Sequence, residues 1–134
     1  MRSSATALHP GLSRVISETG HTDVIVVSDA GLPIPVGSER IDLAFRPGMP
    51  SFIDVLDTVL GELAVEGATA TSEMAEQNPE VFALLSSRLA AIGVELELVP
   101  HVTFKERMRP ARAFVRSGEF SPYANVILHA GVPY

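Results

Sequence analysis

The sequence predicts an α/β fold: a single layered domain over residues 1–134, with a mostly parallel central sheet flanked by helices. Three observations predict it. Val24-Ile25-Val26-Val27 is an unbroken β-branched run, the pattern of a strand covered on both faces rather than one. Segments of helical period alternate along the chain with strand-like segments. A chain of 134 residues is long enough for one core and too short for two large ones.

Pro10 to Thr19 reads as the first helix, with Leu12, Val15 and Ile16 on one face and Gly20 placed for a left-handed stop. The Val24–Val27 strand follows, then a GLPIPVG loop in which Pro33 and Pro35 cannot donate to a ladder. Arg40 to Phe45 is a short strand, ended by RPGMP. From Ser51 to Leu63 the apolar residues Phe52, Val55, Leu56, Val59, Leu60 and Leu63 keep helical spacing, with Ser51 and Asp54 as a capping box. Ala64 to Thr71 is a strand. Asn78 and Pro79 then open a helix as cap and first residue, and Gly93 ends it. Val94 to Val99 alternates as a strand, Thr103 to Arg109 is a short helix, and strands are expected at Ala113–Arg116 and Asn125–Leu128.

Ten basic against sixteen acidic residues give a net charge of −6, which repels phosphate backbones and anionic lipid. No nucleic-acid or membrane partner is expected; a neutral small molecule suits that field. The absence of cysteine removes disulfides, thiolate nucleophiles and cysteine-zinc sites. The opening MRSSATALHPGLS lacks the apolar run of a secretory signal, and no stretch reaches the ~20 apolar residues of a membrane span, so the expectation is a soluble, cytoplasmic protein. Nucleotide-binding glycine motifs, GxSxG and HExxH are missing. The histidines, His9, His21, His101 and His129, lack close ligand spacing, so no metal site is expected.

Ligands of α/β sheets gather beyond the carboxyl ends of strands. Asp29 follows the first strand and His101 follows Val94–Val99, whereas His21 precedes its strand. SPYAN, Ser121 to Asn125, supplies a ring, hydroxyls and an amide suited to a polyol. Each also has a plainer reading, since polar loop residues commonly serve the backbone. Asp29 suits a turn, His21 suits the carbonyls of the preceding helix, His101 suits a surface loop and Tyr123 suits a corner. His129 reads as packing or interface.

The segments VISETGHTD, VSDAGLPIP, RIDLAF, GMPSFIDVL, EQNPE and RSGEFSPYANVIL, in that order, resemble the D-ribose pyranase family, relatives of the fucose mutarotases. The resemblance runs from about Leu12 to Tyr134. It implies an enzyme that interconverts the pyranose and furanose forms of D-ribose by acid–base ring opening and reclosure. It further implies a cytoplasmic, cofactor-free homo-oligomer, a decamer of two stacked pentameric rings. Carried over by motif, His21 is the catalytic proton donor, and Asp29, His101, Lys105, Tyr123, Ala124 and Asn125 bind substrate. The family's usual cysteine within SPYAN's approach is Phe120 here. The resemblance also implies a site shared between subunits; our hypothesis is that His21 and Asp29 come mainly from one and some of Lys105, Tyr123 and Asn125 from its neighbour. A mutarotase for fucose or another sugar, or a non-catalytic sugar-binding module linked to ribose transport, stands as the alternative.

Overall fold

A computed structural model describes residues 1–3 and 6–134. Its elements are α1 (Pro10–Glu18), β1 (Val24–Ser28), β2 (Arg40–Asp42), α2 (Phe52–Leu60), β3 (Val65–Thr71), α3 (Ser72–Gln77), α4 (Pro79–Ala91), β4 (Leu96–Val99), α5 (His101–Arg107), β5 (Ala113–Arg116) and β6 (Val126–Ala130). The six strands join one sheet in the order β2-β5-β1-β6-β3-β4. β5 pairs in parallel with β1 and β2, and β3 with β4, while β6 runs antiparallel to both β1 and β3. Five strands therefore point one way, as expected, and the last strand in sequence is inserted between the first and third.

Both faces of the sheet are covered, which is why β1 reads as continuous Val and Ile. Ile25 and Val27 pack into a large core with Leu12, Phe52, Leu56 and Leu85. Val26 faces a second, smaller core with Phe104, Phe114 and Ile127. The successive residues of β6 divide in the same way, Val126 and Leu128 to one side and Ile127 to the other. Fully burying a side chain of this size is worth about 1.5–3 kcal/mol.

Local signals set most boundaries. The Ser51/Asp54 capping box forms at the start of α2. α1 is capped by His9, whose Nδ1 accepts the Leu12 N–H at 3.2 Å, a cap the sequence reading did not anticipate. Gly93 takes φ +71° and stops α4. Gly20 does not adopt the left-handed conformation expected of it; α1 ends on an extended Thr19 whose hydroxyl donates to the Val15 carbonyl. β2 closes at Asp42 rather than Phe45, because Asp42 Oδ1 accepts the Ala44 N–H and turns the chain. α3, which was not expected, is a single short helix capped by the Thr71 hydroxyl.

The RPGMP segment folds back on itself, with N–H···O bonds exchanged between Arg46 and Met49 and Gly48 at φ +82°. It lies against Gly118, whose N–H donates to the Pro50 carbonyl at 2.8 Å. A Cβ at Gly118 would overlap the Met49 carbonyl. That close approach admits only glycine.

Candidate functional site

β1 delivers Asp29 to the carboxyl edge of the sheet, where its carboxylate turns the chain. Oδ1 accepts N–H bonds from Gly31 at 2.9 Å and Leu32 at 2.8 Å. The turn expected of Asp29 is therefore present, but Asp29 is also buried and tied to the far end of the sequence. Its N–H donates to Asn125 Oδ1 at 2.9 Å, and its Oδ2 accepts from Asn125 Nδ2 at 3.2 Å. This reciprocal pair spans 96 residues and is made possible because β6, which Asn125 precedes, lies directly beside β1. A carboxylate has about four acceptor positions, and these bonds occupy three of them. Burial raises the Asp29 pKa above its ordinary value, and the N–H groups of Gly31, Leu32, Asn125 and Ala124 only partly offset the effect.

Tyr123 and Ala124 approach the pair from the β6 side. Tyr123 adopts φ +58°, and Asn125 N–H donates to its carbonyl at 2.8 Å, folding the chain tightly around a fully buried Ala124. The Tyr123 ring meets His101 edge-on, with centroids 5.2 Å apart. His101 is not in a loop, as expected, but is the first residue of α5, since Pro100 fits the cap position and ends β4. Its N–H donates to Glu73 Oε2 at 2.7 Å, so a residue of α3 closes the end of α5. Desolvation pulls the Glu73 pKa upward, but bonds from Ser72, His101 and its own N–H prevail and hold it below its ordinary value.

Together Asp29, His101, Tyr123 and Asn125 line an open cleft of about 740 Å³, whose walls include Gln77, Arg116, Phe120 and the loop after Asp29. That loop is held on both sides: Ala30 N–H donates to the Glu119 carbonyl, and Arg116 Nε donates to the Ala30 carbonyl. Arg116 is in turn paired with Asp42 at 3.1 Å. The opposite wall hangs on Glu119, whose Oε1 accepts the Phe52 N–H at the start of α2 and whose Oε2 accepts the Ser121 hydroxyl.

Three expected site residues do not line the cleft: Ala124 is fully buried, and Lys105 and His21 lie outside it. Lys105, one turn after His101, borders an adjoining hollow formed with the Pro33–Ser38 loop. His21 lies at the amino end of β1, its side chain half exposed, with Nε2 3.2 Å from Glu66 Oε2. It does not cap the carbonyls of α1. β1 alone is five residues, about 16 Å of extended chain, so His21 and Asp29 of one chain do not meet at one ligand. The expected division between subunits is thus redrawn: Asp29 belongs with Tyr123 and Asn125, and His21 stands apart from all three. His129 packs as expected, its Nε2 3.1 Å from the Thr69 hydroxyl.

Sequence reasoning missed Glu73, Asn78 and Glu119, which hold the cleft without the signature of a motif. EQNPE contained Asn78, but only as a helix cap. Its side chain makes no cap bond and reaches instead to Ser121 Oγ and the Pro122 carbonyl, each at 2.9 Å. Among the described residues no group of three or more histidine and carboxylate side chains converges to hold a metal ion. No described helix is long and apolar enough to cross a membrane.

A family model described as the RbsD / FucU transport protein family matches residues 2–133. A D-ribose pyranase of Laribacter hongkongensis is 52% identical over 125 residues, covering 93% of this chain and 94% of that protein. The solved structure of Bacillus subtilis RbsD complexed with D-ribose matches with a TM-score of 0.94 at 40% identity, covering 100% of both chains. The fucose mutarotase of Streptococcus pneumoniae, in complex with L-fucose, matches at TM-score 0.78 and 24% identity over 93% of this chain and 94% of that one, a likeness of fold alone.

Proposed function

This chain belongs to the RbsD / FucU transport protein family, and from that premise we propose that it is a D-ribose pyranase, an isomerase that interconverts the pyranose and furanose forms of D-ribose. The observation that carries the reading is the cleft at the carboxyl edge of the sheet. There an acid, an amide, an imidazole and a phenol converge in a chain 52% identical to a D-ribose pyranase over nearly its whole length.

The chemistry is proton relocation. Opening the pyranose requires a proton to reach the ring oxygen while the anomeric hydroxyl gives one up, leaving an aldehyde and a free 5-hydroxyl. Rotation and attack by the 4-hydroxyl on the aldehyde close the furanose, with the protons moved in the reverse sense. Electrons and atoms balance without a redox partner, metal or covalent intermediate. General acid–base help of about 10²- to 10⁴-fold is what side chains supply to such a step.

In this reading the Asp29 carboxylate, held by Gly31, Leu32 and Asn125, accepts from a sugar hydroxyl. His101, Tyr123 and Asn125 fix the remaining hydroxyls, and the backbone at Ala124 shapes the floor. His21 is the proton donor. Because it lies at the other end of β1, we assign it to the cleft of a neighbouring copy, which joins the two edges of the sheet head to tail. Lys105, in the hollow beside the cleft, reaches the sugar's far side from the same chain as Asp29. A closed ring of five copies, stacked in pairs to a decamer, repeats such a shared site without leaving an open end. The chain functions as one domain over residues 1–134, in the cytoplasm, on a neutral sugar and without cofactor.

Magnetisation-transfer NMR on D-ribose tests the proposal. Pyranose–furanose exchange should accelerate on adding protein and be unchanged by chelator. Saturable ribose binding with no acceleration would leave a sugar-binding module instead, and acceleration confined to fucose would move the activity to another sugar.

A further inference from the structure

Asn78 occupies the cap position of α4 yet gives that helix no side-chain bond. It is 7% exposed, and both hydrogens of its amide are committed to the cleft wall 43 and 44 residues away. The Pro122 carbonyl can only accept, so the atom facing it must be Nδ2, and the orientation of the amide follows from chemistry. Ser121 passes the chain of bonds to Glu119, and Glu119 passes it to the start of α2. The wall is therefore suspended between the amino ends of two helices.

Resting on the ribose pyranase reading, we propose that Asn78 is a positioning residue: its amide, diverted from helix capping, sets Tyr123 against His101 and so shapes the sugar cleft. The link is the peptide between Pro122 and Tyr123. Asn78 holds the carbonyl of that peptide, and Tyr123 immediately after it sits at φ +58°. A non-glycine residue keeps that conformation only when its surroundings enforce it. The bonds available to enforce it are Asn78 to Pro122 on one side and Asn125 N–H to the Tyr123 carbonyl on the other. With the first removed, the Tyr123 backbone is free to return to negative φ, which carries its ring off the His101 edge.

The test uses Asn78→Ala, Asn78→Ser and, as a stability control, Leu89→Ala in the buried face of the same helix. Serine suits a helix start but is too short to reach Pro122. The His101 ring-proton NMR signal, shifted by the adjacent Tyr123 ring, reports the geometry directly, and ribose exchange reports its use. Both Asn78 variants should move the His101 signal and lower kcat/KM by about tenfold to 10²-fold, the upper figure being the cost of a misplacement near 1 Å. Leu89→Ala should lower the unfolding midpoint and leave the His101 signal in place. A folded Asn78 variant with a wild-type His101 signal and wild-type kcat/KM overturns the proposal. So does a Leu89→Ala signal that moves as far as theirs. If the wild type itself does not accelerate ribose exchange, the pyranase reading fails, and the His101 signal still decides the role of Asn78.

Discussion

The two ends of β1 are built on different principles. At the carboxyl end Asp29 is buried, bonded to the chain on both sides, and joined to Asn125 across 96 residues. At the amino end His21 is half exposed and touches one carboxylate, Glu66, that is equally exposed. One end is a finished socket and the other an unfinished plug. The contrast separates rigidity from reactivity: the groups proposed to hold the sugar are wired into the core, while the proposed proton donor is presented outward.

Substitution at the plug should break activity and spare the fold. His21→Ala is expected to reduce ribose exchange by about 10²- to 10⁴-fold, with the urea midpoint unchanged, because an exposed pair stabilises little. A parallel loss of stability would mean that His21 serves the architecture. Substitution at the socket should break both. Asn125→Ala leaves the Asp29 N–H and Oδ2 without their partner, and buried polar groups so orphaned cost roughly 1–3 kcal/mol each. Denaturant unfolding checks this; a variant as stable as wild type would show that water replaces the amide freely.

Mixing sharpens the contrast into a statement about assembly. If plug and socket come from different copies, His21→Ala and Asn125→Ala proteins, each inactive, should regain activity when dissociated and reassembled together. Random mixing pairs an intact His21 with an intact Asn125 at about one interface in four, so recovery should approach a quarter of wild type. Mixed oligomers with no recovery would place every site within one chain.

A smaller effect is expected with pH. The Asp29 pKa is raised in the folded protein, so folding favours its protonated form. Its contribution is fully present below the ordinary value of 3.8 and is lost as pH rises through the raised folded value. Asp29→Asn carries a constant penalty from two amide donors facing each other, but it does not ionise. Wild type should therefore lose stability relative to Asp29→Asn as pH rises across that window; a pH-independent difference would remove the desolvation argument. The smallest change is expected for Glu66→Gln, where loss of an exposed partner should alter exchange at most about fivefold.

Legibility in the sequence followed the range of the interactions. β1 announced itself because its own residues pack on both faces, and α2 because Ser51 and Asp54 cap within four residues of each other. Asp29 stood out as a carboxylate ending a strand. α3 was invisible because six residues are too few to show a period, and only Thr71 marks its start. Glu73, Asn78 and Glu119 were invisible for a different reason. Their partners lie 28, 44 and 67 residues away, and only the order of the strands brings them together. Lys105 and His101 stand one turn apart in α5 and border two adjoining hollows, an arrangement that spacing alone does not show.

The position of β6 has a consequence for how the protein comes into being. β1 and β3 do not touch in the sheet; each is bonded to β6, the last strand in the sequence. Without residues 126–130 the sheet divides into two sets of strands, β2-β5-β1 and β3-β4, with no strand pairing between them, although Ile25 and Val27 of one and Ala68 and Ala70 of the other share the large core. The same late segment brings Asn125 to Asp29, so the architecture and the cleft are completed by one event. A chain cut before Val126 should therefore show neither a cooperative unfolding transition nor ribose binding. A chain truncated there would leave the facing edges of β1 and β3 unpaired, the kind of exposed strand edge that invites aggregation.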